Sequence, residues 1–132
     1  IRQLLEDEAV ATAIPRLSDG DVAALQQAMR DVETAGEAGD IAAITAANRR
    51  FHFLLLERAG LPRLTRLIRQ LWDATDAYRS VYFAETANRG RVEHEHRQIM
   101  DAIRERDIPR TIALMNTHRD HAVQRVSKVL GD

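Results

Sequence analysis

Apolar residues recur at helix spacing along almost the whole chain, and no useful stretch alternates with the two-residue period of a half-buried strand. That periodicity restricts the fold to helices packed on helices. Ala, Leu and Arg are abundant and aromatics scarce (5%), which favours the same choice. The breaks predict about six helices. The first runs from Ile1 to about Ile14 and stops before Pro15. Ser18 with Asp21 three residues on is a capping-box variant that starts a second helix, running to about Gly36. Gly39-Asp40 reads as a turn with Asp40 as N-cap to a third helix, Ile41 to about Ala59. Gly60 then closes that helix, and Pro62 opens a long fourth one reaching Ala84. Asn88-Arg89-Gly90 reads as a break. A fifth helix spans Arg91 to Arg106, and Asp107 caps a sixth that continues to about Leu130. The joints are short, so the expected architecture is all-α: one antiparallel bundle of about six helices.

The 132 residues suffice for one domain with a real core and are too few for two comfortable ones. Nineteen Lys plus Arg face 20 Asp plus Glu, so the chain lacks the positive excess that a nucleic-acid surface needs. The absence of cysteine excludes a disulfide framework and a thiolate metal site, and fits a reducing, cytoplasmic setting. No apolar run approaches the roughly 18 residues of a membrane span, and no signal-peptide pattern opens the chain. Ile1 already lies inside a helical pattern, which reads as a piece of a longer protein.

Four polar residues stand at the centres of otherwise apolar faces. At about 100° per residue, Asn48 and His52 lie about 40° apart on the third helix, with Ile41, Ile44, Phe51, Leu55 and Leu56 around them. His96 shares its direction with Val92, Ile99, Met100 and Ile103, whereas His94 points about 160° away among charged residues. His118 is surrounded by Leu114, Met115, Ala122 and Val129, and His121 flanks it about 60° off. Polar groups turned into a core cost several kcal/mol unless satisfied. A histidine in such a place is often bonded to a carboxylate or a carbonyl. Three of them beside an amide point to one shared metal ion instead, and imidazole nitrogen suits Zn, Ni, Cu, Co or Fe, with Zn or Ni the expected occupant. Three imidazoles leave coordination positions open for water or for the carboxylate of a small ligand.

The segments Asn48-Arg49-Arg50-Phe51-His52, Glu95-His96-Arg97-Gln98-Ile99-Met100-Asp101-Ala102-Ile103, Arg106-Asp107 and Met115-Asn116-Thr117-His118 resemble the signature of the FCD domain. This is the effector-sensing domain of the FadR-like branch of GntR-type transcription regulators. The opening Arg2-Gln3-Leu4-Leu5-Glu6 resembles that domain's first helix, and the matches run in order over nearly the whole chain. The resemblance implies an antiparallel helical bundle with a central cavity, of the family's six-helix rather than seven-helix subgroup. It also implies a divalent metal held by Asn48, His52, His96 and His118, with Asn48 standing where Asp is commoner. A small organic or sugar acid would bind beside the metal, its carboxylate held by arginine. Arg2, which shares an arc with Leu5 and Ala9, is the first candidate for that contact and Arg79 the second, with Tyr78 and Tyr82 as wall residues. The family further implies a homodimer and an N-terminal winged helix-turn-helix that contacts DNA, of which residues 1–132 carry no trace. These residues would therefore form a single ligand-sensing and dimerisation domain.

Two other functions compete with a sensor. A metal-dependent hydrolase needs a general base beside the metal; Glu95 and Glu93 are the nearest in sequence, and Glu95 points about 100° from His96. A metal-free structural or partner-binding bundle would instead give each histidine its own hydrogen-bond partner.

Overall fold

A computed structural model describes the backbone of residues 2–129 and the side chains of residues 2–121. The expected end at Leu130 and the inward faces expected of Ala122 and Val129 lie outside what it describes. Among the described residues there are seven α-helices and no strand: α1 (Arg2–Ala13), α2 (Asp19–Ala38), α3 (Ile41–Glu57), α4 (Pro62–Asp73), α5 (Asp76–Ala84), α6 (Thr86–Arg104) and α7 (Ile108–Val129). A 3-10 turn, Ile14–Arg16, carries Pro15 between α1 and α2.

The punctuation acts as its chemistry predicts. The Ser18 hydroxyl accepts from the Asp21 N–H at 3.0 Å while the Asp21 carboxylate accepts from the Ser18 N–H at 2.9 Å, so both orphan donors at the start of α2 are satisfied. Asp40 caps α3 through the Ala43 N–H, and Asp107 caps α7 through the Arg110 N–H. Gly60 turns the chain after α3 with φ of 67°, and an added Cβ would stand 2.9 Å from the Arg16 guanidinium. Backbone conformation and close approach both call for glycine there.

Two boundaries differ from expectation. The long fourth helix is broken between Asp73 and Asp76. The Trp72 carbonyl accepts from the Thr75 N–H, from the Thr75 hydroxyl (3.2 Å) and from Arg79 Nη1 (3.2 Å), so a helical bond to residue 76 is replaced by three others. Thr75 leaves helical geometry with φ of −118°. Conversely, Asn88-Arg89-Gly90 lies inside α6, and the break falls at Glu85, whose ψ is 124°. The Asn88 amide donates to the Tyr82 carbonyl at 2.9 Å and to Glu85, and so closes the end of α5 from the first turn of α6. Seven helices result where six are expected, and the six-helix subgroup is not the one the count fits.

Two apolar clusters fill the bundle. The larger joins Ala9, Ile14, Leu25, Phe51, Leu55, Ile68, Ile99 and Met115, and draws on α1, α2, α3, α4, α6 and α7. The smaller joins Val32, Ala35, Ile44, Tyr82, Phe83 and Val92. Along α3, Asn48 and His52 fall between Ile44 of the smaller cluster and Leu55 of the larger. Along α6, His96 falls between Val92 and Ile99 in the same way. The polar residues therefore occupy the seam between two dry regions.

One buried carboxylate fastens three helices. Glu6 on α1 is 4% exposed, accepts from Trp72 Nε1 of α4 at 2.6 Å, and pairs with Arg119 Nη2 of α7 at 2.8 Å. Arg2, one turn earlier, donates to the same carboxylate at 3.3 Å. Removing one partner of a buried ion pair leaves the others unpaired. Glu6→Ala is therefore expected to lower unfolding free energy by about 3 kcal/mol, against about 1 kcal/mol for loss of the α2 cap in Ser18→Ala. Urea titration of both variants checks the order, and an equal or reversed order contradicts this account of Glu6.

Candidate metal centre

Helix α3 presents Asn48 and His52 one turn apart, α6 presents His96, and α7 presents His118. Asn48 is 2%, His52 4% and His96 0% exposed, and the His118 side chain 11%. One ligand-capable nitrogen from each of His52, His96 and His118 lies within 4.8 Å of the others. The His52 and His118 rings are nearly parallel at a centroid separation of 5.6 Å, and His96 stands 5.7 Å from His52 and 5.1 Å from His118. Phe51 stacks on His96 at 4.9 Å, and Trp72 tilts against His52 at 5.0 Å. Aromatic walls thus fix the rings from behind.

The hydrogen-bond account of this seam does not close. Asn48 Oδ1, His52 Nε2 and both ring nitrogens of His96 are buried and find no hydrogen-bond partner among the described residues. Native interiors satisfy most such groups, because each unmade bond costs about 1–3 kcal/mol. Burial holds the His52 imidazole well below its ordinary pKa, reinforced by His118, His96, Arg79 and Arg2. Burial does the same to His96, with His118 adding to it. Both rings are therefore neutral at pH 7 and keep the lone pairs that a cation binds.

His118 is satisfied differently, and through a residue that helical geometry on α6 alone aims away from the site. Glu95, 8% exposed, meets His118 Nδ1 at 2.8 Å through one carboxylate oxygen and His121 Nδ1 at 3.1 Å through the other. Its 100° offset from His96 carries it to α7. The signal was the pairing of two facing helices, which spacing within one helix does not contain. Burial raises the Glu95 carboxyl, but the bonds and charges of His118 and His121 outweigh it, and the net position is below the ordinary value. His94 is exposed, as expected.

Of the arginines and tyrosines, the structure brings the arginines to the seam. Arg79 lies 3.6 Å over the Trp72 ring and Arg2 4.8 Å from its centroid, so both guanidiniums stack on the indole that touches His52. Burial lowers Arg79 to about 10, with Arg2 adding to the effect and Asp76 and Glu6 opposing it. Its Nη1 bonds Asp76 and the Trp72 carbonyl, while its Nη2 is buried and finds no hydrogen-bond partner among the described residues. Tyr82 packs into the smaller apolar cluster, and Tyr78 is 48% exposed. Neither is brought to the imidazoles.

Depressed folded-state values for His52 and His96 set a pH dependence. Below about 6.5 the unfolded chain takes up protons that the folded metal-free protein refuses, so stability falls as pH drops. The slope is about 1.4 kcal/mol per pH unit for each such imidazole. Urea unfolding of chelator-treated protein is expected to show this loss beginning below pH 6.5, above the range where carboxylates titrate. A flat profile there contradicts the burial of neutral rings.

The chain matches the FCD domain profile over residues 1–121. It is 39% identical over 72 residues to the HTH-type transcriptional regulator McbR of Escherichia coli (strain K12), a stretch covering 54% of this chain and 33% of McbR. It thus spans about a third of that relative's length. The structure superimposes on that of E. coli McbR/YncC with a TM-score of 0.89 at 23% identity, over 96% of this chain and 64% of the other, which establishes a shared fold. No helix among the described residues is long and apolar enough to cross a membrane. The chain belongs to the FCD domain family, the regulatory rather than catalytic domain of GntR-type transcription regulators.

Proposed function

We propose that this domain senses a small organic or sugar acid bound beside a divalent transition metal, Zn or Ni, held by Asn48, His52, His96 and His118. The orphaned atoms of Asn48, His52 and His96 carry this reading. A cation placed among them would take up to three of these atoms, Asn48 Oδ1, His52 Nε2 and the lone-pair nitrogen of His96, each of which otherwise costs about 1–3 kcal/mol. The three imidazoles suit such an ion in chemistry, and their spacing is slightly wider than a bound ion requires. Two nitrogens each about 2.1 Å from one metal stand at most about 4.2 Å apart, so a 4.8 Å limit closes with small ring movements. When bound, the metal supplies open positions for a ligand oxygen.

Arg79 is the anchor for the carboxylate of the effector. Its Nη2 is the one buried guanidinium nitrogen beside His52 that lacks a partner among the described residues, and a carboxylate oxygen would take it in a charge-assisted bond. Arg2 is the second anchor, shared with Glu6. Room for such a ligand would have to open beside His52, where Trp72 packs against its ring and Arg79 stacks on Trp72. Tyr78 is about half exposed and Tyr82 packs in the smaller cluster, so the reading rests on the arginines rather than on these two wall residues. A hydrolase reading fails on its general base, since both Glu95 oxygens are held by histidines and the family is regulatory. In the full-length regulator, the effector would shift helix positions through unequal affinity for two arrangements and so alter DNA contact by a helix-turn-helix domain in a homodimer.

Metal analysis of protein purified without added metal tests the centre. His52→Ala and His96→Ala are expected to lose the metal, and His94→Ala to keep it; equal retention in all three contradicts the assignment. Asn48→Asp is expected to tighten the metal by supplying a charged oxygen while destabilising the metal-free protein, because a buried carboxylate then lacks a partner. Unchanged or weaker binding removes Asn48 from the ligand set. For the effector, a carboxylic acid at about 100 times its Kd adds about 2.7 kcal/mol of stability, a thermal shift of several degrees. Arg79→Ala is expected to abolish that shift while metal content stays unchanged, and a retained shift places the carboxylate elsewhere.

A further inference from the structure

An amide oxygen and three imidazole nitrogens bring no anionic charge to a bound dication, so its charge would have to be balanced from the surrounding groups. Glu95 is the carboxylate in direct contact with one of the four proposed donors, at 2.8 Å from His118 Nδ1. An imidazole has two nitrogens, and only the one without the proton binds a metal. A carboxylate at Nδ1 demands a donor there, which leaves Nε2 as the lone-pair nitrogen of His118. The other oxygen of Glu95 accepts from His121 Nδ1 at 3.1 Å, and the His121 side chain is 40% exposed. The carboxylate is thus held at both ends, from the seam side and from the surface side. Consecutive residues of α6 thus meet the same histidine: the His96 ring lies 5.1 Å from the His118 ring and 5.7 Å from that of His52, while Glu95 bonds His118 Nδ1.

We propose that Glu95 is the positioning residue of this metal centre: it locks His118 in the Nδ1–H tautomer with Nε2 free for the ion, and it supplies anionic charge that the donors themselves lack. His121 keeps the carboxylate in place from outside. The assignment rests on the metal-binding reading above, and the two fail in distinguishable ways. A carboxylate behind a ligating imidazole fixes ring orientation and raises ligand basicity, and its loss weakens metal binding by about 10- to 100-fold.

Two measurements on the intact protein decide the matter. Nitrogen chemical shifts of the metal-free wild type at about pH 8, above the ordinary histidine range, report the His118 tautomer directly. The Nδ1–H form is expected, and a population protonated at Nε2 overturns the proposal whether or not any variant folds. Competition of Zn(II) against a chromophoric chelator then compares the wild type with Glu95→Gln, which keeps shape but removes the charge and one acceptor oxygen. Zn(II) affinity is expected to fall by about 10- to 100-fold, with the His118 shifts moving off the pure Nδ1–H position and circular dichroism unchanged. Wild-type binding with no loss in Glu95→Gln overturns the role of Glu95 and leaves the centre standing. A wild type that binds no Zn(II) overturns the centre itself.

Discussion

The structure turns on uncharged imidazole rings held dry between two apolar clusters. Four buried polar atoms on Asn48, His52 and His96 have no partner among the described residues. At about 1–3 kcal/mol each, they remove a substantial share of the roughly 5–15 kcal/mol that stabilises a domain of this size. Apolar residues of similar volume at these positions would leave the bundle about as stable or more so. Such a cost is understandable where the atoms have something to bind. Desolvation, which makes the seam expensive, also keeps His52 and His96 neutral and ready as donors.

Around this seam, charge is arranged in layers. Glu95 stands behind His118 on one side. On the other, Arg2 and Arg79 stack on Trp72, and Trp72 packs against His52 while donating to Glu6. The Glu6 network ties α1, α4 and α7 together through Trp72 and Arg119. A ligand that engaged Arg2 or Arg79 would therefore act on the same side chains that set the packing of α1 against its neighbours. Under the proposed function, a small bound acid would thereby change helix position through contacts that differ between two arrangements.

Much of this was legible in the sequence because the signals were local. The cap at Ser18, the turn at Gly60 and the apolar stripe of α3 each lie within one turn or two of helix, and each was readable from spacing. The inward directions of His52 and His96, and the outward one of His94, followed from rotation about a helix axis. What spacing did not contain was set by tertiary contact. The break after Trp72 has neither Pro nor Gly to announce it, and depends on Arg79 folding back to the Trp72 carbonyl. Asn88 looked like a breaker and is a bridge to the end of α5. Glu95 looked badly aimed because its partners lie on a different helix. Tyr78 and Tyr82 shared a stripe that the same break divides, leaving one exposed and one in the smaller cluster.

The most direct test is X-ray absorption at the metal edge on protein purified without added metal. Three imidazoles bound to one ion predict a first shell of nitrogen and oxygen at about 2.0–2.2 Å, with the outer-shell scattering of about three histidine rings. His52→Ala would remove one ring from that pattern or abolish the signal. An absent metal, or a shell without histidine scattering, would contradict the account at its centre.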